Sequence, residues 1–161
     1  MIVLIMGITG SGKTTIGTLL AQQLGWLFAD ADDFHSAANK EKMSHGIALT
    51  DADRIPWLRA IHDAMVRWDA AGQNAVVACS ALKQVYREVL AEGVRAEFVY
   101  LRGSPDLILE RLKHRHGHYA TGSLVASQME ALEEPRDAHV VDIANTPAAI
   151  VEEIRRQLNL T

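Results

Sequence analysis

A single cysteine, Cys79, stands in the whole chain, so no internal disulfide can form and a reducing cytoplasm is the expected compartment. Proline is scarce, with four in 161 residues, and no Pro-, Gly- or Ser-rich stretch marks a linker. One compact domain over residues 1–161 is therefore expected. No window approaches the roughly 18 consecutive apolar residues that a membrane span needs. The opening run Ile2-Val3-Leu4-Ile5-Met6 lacks a charged leader and a small-residue cleavage site, so no signal peptide is expected. Positive charge is not in excess: the formal net charge of −4 argues against a nucleic-acid partner. An anionic substrate must then be gripped by a local cluster of Lys and Arg.

What is present is an alternation of two hydrophobic periods. Apolar runs of strand length fall at residues 2–6, 26–30, 75–79, 96–101 and 139–143. Between them, Ile16, Leu19, Leu20 and Leu24 make a helical stripe that Gly25 would stop. Leu58, Ile61, Met65 and Trp68 make a second, with Asp53 as a candidate cap and Gly72 past its end. Ser104-Pro105-Asp106 reads as a helix start, and Thr146-Pro147 repeats the logic ahead of Ile150, Ile154 and Leu158. Continuous apolar strands alternating with helices predict an α/β fold: five parallel strands between two helical layers.

Gly7-Ile8-Thr9-Gly10-Ser11-Gly12-Lys13-Thr14 matches the phosphate-loop pattern GxxxxGK[ST] at every fixed position. It follows a predicted strand and opens a predicted helix, the setting its chemistry requires. Glycines let backbone N–H groups turn inward around phosphate oxygens at a helix N-terminus, and Gly7, Thr9, Gly10, Ser11, Gly12 and Thr15 are the expected nucleotide-binding positions. Lys13 is expected to bridge the β- and γ-phosphates, and the Thr14 hydroxyl to ligate Mg²⁺. Nothing resembling the Asn/Thr-Lys-x-Asp guanine-reading motif is present. The chain is expected to bind a nucleoside triphosphate, and a small-molecule kinase is the economical reading.

The acceptor side is less constrained. Asp30, Asp32 and Asp33 close the second strand, where the carboxyl ends of a parallel sheet bind ligands. Asp32 is the expected group to orient an acceptor hydroxyl and take its proton; a solvated loop or helix cap is the alternative. His35, Asn39, Lys40, Lys42, Asp51, Asp53 and Arg54 then form a polar stretch ending at Pro56-Trp57. Arg54 and Lys42 suit a carboxylate, and Asp, Asn and His suit hydroxyls. Spacing alone does not separate that reading from ordinary surface. Beyond the third strand, Ser80 reaches the same sheet edge, and Lys83 and Arg87 fall four apart, either a second anion grip or a solvated helix face. Cys79 reads as a buried small hydrophobe.

Arg111, Lys113, His114, Arg115, His116 and His118 put six basic or titratable residues into eight positions. With Gly117 and Gly122 this reads as a moving flap over about 111–124 that closes over the nucleotide, Arg111 binding it and Arg111 and Arg115 stabilising the transferred phosphoryl group. A solvated basic helix end is the competing reading. A metal site on His114, His116 and His118 is not expected, since alternate positions on a helix do not share a face.

Taken together, these segments resemble gluconokinases of the small P-loop type. The likeness rests on Asp30-Ala31-Asp32-Asp33-Phe34-His35, Asn39, Lys42-Met43, Gly46, Leu49, Asp51, Asp53-Arg54 and Pro56-Trp57-Leu58. It continues in Cys79-Ser80-Ala81-Leu82-Lys83, Tyr86-Arg87, Gly117-His118-Tyr119, Leu124, Ser127-Gln128, Leu132-Glu133 and Pro135. The resemblance implies a core like that of shikimate and adenylate kinases, with MgATP as donor and phosphorylation of D-gluconate at its 6-hydroxyl. It implies a moving lid, commonly a homodimer, and acceptor contacts from His35, Arg54, Ser80, Lys83, Arg87 and His118, with Arg54 first in line for the carboxylate. Ala31, Ser36 and Ala48 depart from the glycine, proline and proline usual in the family, and Thr121-Gly122 replaces a lysine or bulkier residue. A kinase for another hydroxy-acid such as shikimate, or a non-catalytic nucleotide-binding module, are the rival readings.

Overall fold

The computed structural model describes residues 1–114 and 122–160. Five parallel strands, β1 (Ile2–Met6), β2 (Leu27–Asp30), β3 (Ala75–Ala78), β4 (Ala96–Arg102) and β5 (His139–Asp142), form one sheet in the order β2-β3-β1-β4-β5. All five lie where the apolar runs place them. The central strand shows why the run must be continuous: Ile2 to Met6 are each fully buried because both faces of β1 are covered. Each such side chain contributes about 1.5–3 kcal/mol of burial.

The helices are α1 (Lys13–Leu24), α2 (Ala37–Ser44), α3 (Asp51–Ala70), α4 (Gln84–Ala91), α5 (Pro105–Lys113), α6 (Gly122–Ala131) and α7 (Pro147–Gln157). One core gathers Ile16, Leu20, Ile108, Val125, Ile150 and Ile154 from α1, α5, α6 and α7 against one sheet face. The other gathers Trp57, Leu58, Ile61, Met65, Tyr86 and Leu90 from α3 and α4 against the opposite face. The result is the expected three-layer α/β architecture. Among the described residues no helix is long and apolar enough to cross a membrane.

Local chemistry sets the helix ends. Ser104 Oγ and Thr146 Oγ1 accept from the N–H groups of Leu107 and Ala149, each with proline in the first turn. Gly25 ends α1 in the left-handed conformation, φ 68°. The expectation that Asp53 caps the third helix is corrected. Thr50 is the cap, and Asp53, three residues on, returns a bond to the Thr50 N–H, completing a reciprocal capping box. The helix thus starts earlier than its apolar stripe. Helix α2 was also invisible to periodicity; it is polar and short, and Ser36 starts it by accepting from Asn39 N–H at 3.1 Å. The residue that replaces a family proline therefore supplies a cap.

Chain direction then positions the site. β1 runs into α1 on one face, while β3 runs into α4 on the other, so a crevice opens at their carboxyl ends.

Candidate active site

The phosphate loop bends through conformations that a side chain would strain. Gly10 and Gly12 have φ of 79° and 97°, and a Cβ on Gly10 would lie 2.9 Å from Ile108 and Leu112 carbons. The loop therefore sits tightly on α5. Gly7 N–H donates to Ser80 O at 3.4 Å, tying the loop's start to the segment after β3. Lys13 Nζ donates to Ile8 O at 3.0 Å, curling over the loop. Cys79, beneath the crevice, is fully buried, which pushes its thiol up to about 12 and keeps it neutral.

A recess of about 240 Å³ opens here, lined by Thr9, Gly10, Gly12, Lys13, Thr14, Thr15, Asp30, Asp32, Ala78, Cys79, Ser80 and Gln128. It brings together three sequence-derived groups: the loop with Lys13 and Thr14, the acid Asp32, and Ser80. Asp30 joins them. Its Oδ2 accepts from Thr14 Oγ1 at 3.0 Å, and its Oδ1 accepts from Asp32 N–H at 3.0 Å. One carboxylate thus fixes both the hydroxyl of the loop and the turn that carries Asp32. Sequence reasoning noted Asp30 in the acidic run but assigned it nothing.

Asp32 lies in a single 3-10 turn, Ala31–Phe34. Its side chain reaches solvent, yet the crowded recess wall strips part of its hydration. Its pKa is raised above the usual carboxylate value, first by that desolvation and then by neighbouring Asp30; Lys13 and His35 oppose the shift. A carboxylate made more basic beside a lysine suits proton acceptance.

A second recess, of about 330 Å³, adjoins the first through Gly10, Gly12 and Thr15 and is otherwise lined by Ser11, Ile16, Arg111, Asn145, Pro147 and Ile150. Its apolar walls suit a nucleobase. Arg111 belongs to this recess and does not line the first, because its guanidinium donates to the carbonyls of Ile143 and Asn145. Arg111, expected to close over the nucleotide and reach the transferred phosphoryl group, thus stands in the recess beside the phosphate loop and not in the one that holds Lys13 and Asp32. Arg115 and His118, and most of the expected flap, lie outside the described residues.

A polar cluster whose residues do not line the first recess joins α3 and α4. Tyr86 OH donates to Asp51 Oδ1 at 2.5 Å and accepts from Arg54 Nη1 at 3.2 Å. Arg54 and Lys83 nitrogens lie 3.7 and 3.6 Å from the same Asp51 oxygen, and each cation stands 5.7 Å from the Tyr86 ring centre. Tyr86 and these cations together hold the Asp51 carboxyl below its usual range, the Tyr86 hydrogen bond contributing most. Arg54 and Lys83, chosen from sequence as anion ligands, are thus neighbours in space. Lys42 is not with them; it pairs with Asp53 at 2.8 Å.

Arg87 is a correction. Lys83 precedes α4 as its cap, while Arg87 is buried, donating to the carbonyls of Ala81 at 2.7 Å, Leu82 at 3.1 Å and Glu133 at 2.7 Å. Its guanidinium holds the backbone together and is not presented to a ligand. It stabilises a strained stretch, since Ala81 has φ 46°. Two further residues, noted in the sequence only as part of the family resemblance, had been given no role. Gln128 Oε1 accepts from Thr9 N–H at 2.6 Å, and Glu133 Oε1 accepts from Gln84 N–H at 2.8 Å. Neither bond has a local signature, because the partners are far apart in the chain.

Comparison with known proteins matches this geometry. The shikimate kinase (SKI) family model covers residues 9–159. A probable gluconokinase of Xenopus tropicalis is 42% identical over 178 aligned positions, spanning 99% of this chain and 94% of that protein. The structure of a gluconokinase from Sinorhizobium meliloti 1021 superposes with a TM-score of 0.84 at 41% identity, covering 98% of this chain and 94% of that one. An unliganded sugar kinase from Janibacter sp. superposes with a TM-score of 0.90 at 41% identity over 99% and 95% of the two chains. With a phosphate loop, an acid opposite it and these relatives, the chain belongs to the gluconokinase family of small ATP-using P-loop kinases, within the wider shikimate kinase group.

Proposed function

We propose that this protein transfers the γ-phosphoryl group of ATP to the 6-hydroxyl of D-gluconate, giving 6-phosphogluconate and ADP. The observation that carries the reading is the shared recess: Asp32 faces the same space as Lys13 and Thr14. Loop N–H groups and Lys13 hold the phosphates, and Asp32 orients the acceptor hydroxyl and accepts its proton. The base lies in the second recess beside Arg111. Arg54 and Lys83 bind the carboxylate of the acceptor, Arg54 through its planar fork. His35 adds hydroxyl contacts, and Arg115 and His118 act from the segment between α5 and α6. Arg87 supports the site from within.

Mg²⁺ fits the oxygen donors at Thr14 and Asp30, which lie 3.0 Å apart on the recess wall. Bound there, Mg²⁺ supplies charge neutralisation for the phosphate oxygens. The reading includes a cytoplasmic homodimer, supported by the lone buried thiol and the family resemblance.

The test is ADP production from MgATP with D-gluconate, shikimate, a nucleoside monophosphate or no acceptor. Strong stimulation by gluconate alone is the expected result. Absence of that stimulation overturns the acceptor assignment.

A further inference from the structure

The segment from Gln128 to Glu133 touches both halves of the site, and nothing in the mechanism above uses it. At its start, the Gln128 side chain accepts from Thr9 N–H at 2.6 Å, inside the phosphate loop. Gln128 is also the one residue of α6 lining the recess that holds Lys13, Thr14 and Asp32. At its end, Glu133 N–H donates to Leu82 O at 2.8 Å, Glu133 Oε1 accepts from Gln84 N–H at 2.8 Å, and Glu133 O accepts from Arg87 at 2.7 Å. These bonds hold Glu133 against the stretch that carries Ser80 and Lys83. Leu132 N–H donates to Gln128 O at 2.9 Å, so helical bonding makes a continuous link between the two ends.

We infer that Gln128 is a positioning residue for phosphoryl transfer: its side-chain carbonyl fixes the Thr9 amide and ties the phosphate loop, through α6, to the acceptor-side Ser80–Lys83 loop. The inference rests on the kinase reading above. A phosphate loop works because successive N–H groups point inward at phosphate oxygens. An acceptor outside the loop that engages Thr9 N–H decides which way that peptide faces. The partner is a donor, so the side chain at this position must supply an acceptor, here the Gln128 amide oxygen. The bond is local to the loop, but its anchor is shared with the acceptor side. Losing it shifts donor relative to acceptor, and a misplacement of about 1 Å can cost roughly 10²-fold in rate. A purely structural role would instead lower stability without separating kcat from KM.

Two variants test this. Gln128→Met keeps the size and removes the acceptor; Gln128→Glu keeps an acceptor for Thr9 N–H and adds negative charge to the recess wall. Expected for Gln128→Met is a fall in gluconate-dependent kcat of about tenfold or more, with KM for gluconate changed less than about threefold. Expected for Gln128→Glu is a kcat closer to wild type together with a raised KM for ATP, because a carboxylate repels phosphates. A kcat within about twofold of wild type in Gln128→Met overturns the inference, as does equal loss of kcat in both variants. If Gln128→Met does not fold, Gln128→Glu decides alone: kcat near wild type with a raised KM for ATP supports the role, and collapse of kcat overturns it. Wild-type protein is assayed alongside. If it shows no response to gluconate, the acceptor assignment has failed instead, and the same comparison of variants is read on acceptor-independent ADP release.

Discussion

The imidazole of His35 lies flat against the indole of Trp57, with ring centres 4.2 Å apart and planes inclined by 12°. Trp57 Nε1 donates to Ala31 O at 2.7 Å, so the same indole holds the start of the turn that carries Asp32. Asn39 Nδ2 donates to Asp53 O at 3.0 Å and lies 3.3 Å from His35 Nδ1. With Asn39 as donor, His35 Nδ1 accepts and its proton resides on Nε2. Burial lowers the His35 pKa, and Arg54 adds to that against the opposing pull of Asp32. A neutral, oriented imidazole follows. Helix α3 thereby positions both the candidate base and its neighbour.

Asp32→Asn is expected to cut turnover by about 10²-fold or more while leaving ATP affinity nearly intact. The pH profile supplies a second check. Because the Asp32 pKa is raised, kcat of the wild type should fall as pH drops through that elevated value, above the usual Asp range. The sign for stability is opposite to that of a salt-bridged acid. Ionised Asp32 opposes folding, and the penalty disappears as pH falls through its folded pKa. The variant should therefore melt no lower than wild type near neutral pH. Normal turnover in Asp32→Asn would remove it from the mechanism.

Arg54→Ala is expected to raise KM for gluconate by roughly tenfold or more, with KM for ATP unchanged. Tyr86→Phe should act in the same direction more weakly, since it removes the hydroxyl that joins Arg54 to Asp51. Steady-state kinetics with each substrate varied in turn checks both. An effect confined to ATP would place Arg54 on the donor side.

Arg87→Met should lower stability by about 2–4 kcal/mol, as buried carbonyls of Ala81, Leu82 and Glu133 lose a charged donor. Arg87→Lys should not restore it, because one ammonium cannot replace a planar fork meeting three carbonyls. Chemical denaturation measures the loss. Wild-type stability with a raised KM for gluconate would return Arg87 to the acceptor.

Thr50→Ala should cost about 1 kcal/mol through the cap of α3. Its capping partner adds a pH signature. Asp53 is held down to about 2, first by the hydrogen bond from Lys42 and then by the Thr50 backbone. The stability it contributes is complete above its ordinary pKa of 3.8 and is lost as pH falls through about 2. Thermal melts of wild type and Asp53→Asn should therefore converge over that window. A constant gap between them would mean that Asp53 acts without its charge.

Legibility divided along the range of the interaction. The five strands, the phosphate loop, the proline-led starts of α5 and α7 and the place of Asp32 at the end of β2 depend on neighbours a few residues away. Periodicity and capping report such neighbours directly. Asp30 was in view, but its partner Thr14 is 16 residues distant and only the parallel sheet brings them together. Helix α2 was missed because its caps are present while its apolar stripe is not. Asp53 was misplaced by a related cause, since the apolar stripe of α3 begins after its cap.

What the sequence by itself determined is therefore the alternation of strands and helices, the loop that holds phosphate, and the family that the segment from 30 to 58 resembles. What tertiary structure alone decided is how each polar side chain is used. Arg87 and Lys83 differ by four positions, yet one is buried on three carbonyls and the other shares a carboxylate with Arg54. Gln128 meets Thr9 across 119 residues. The physical reason is that a hydrogen bond is directional and short, so its partner is chosen by where the packed layers place the chain. Hydrophobic burial needs only a face, and a face can be read from spacing.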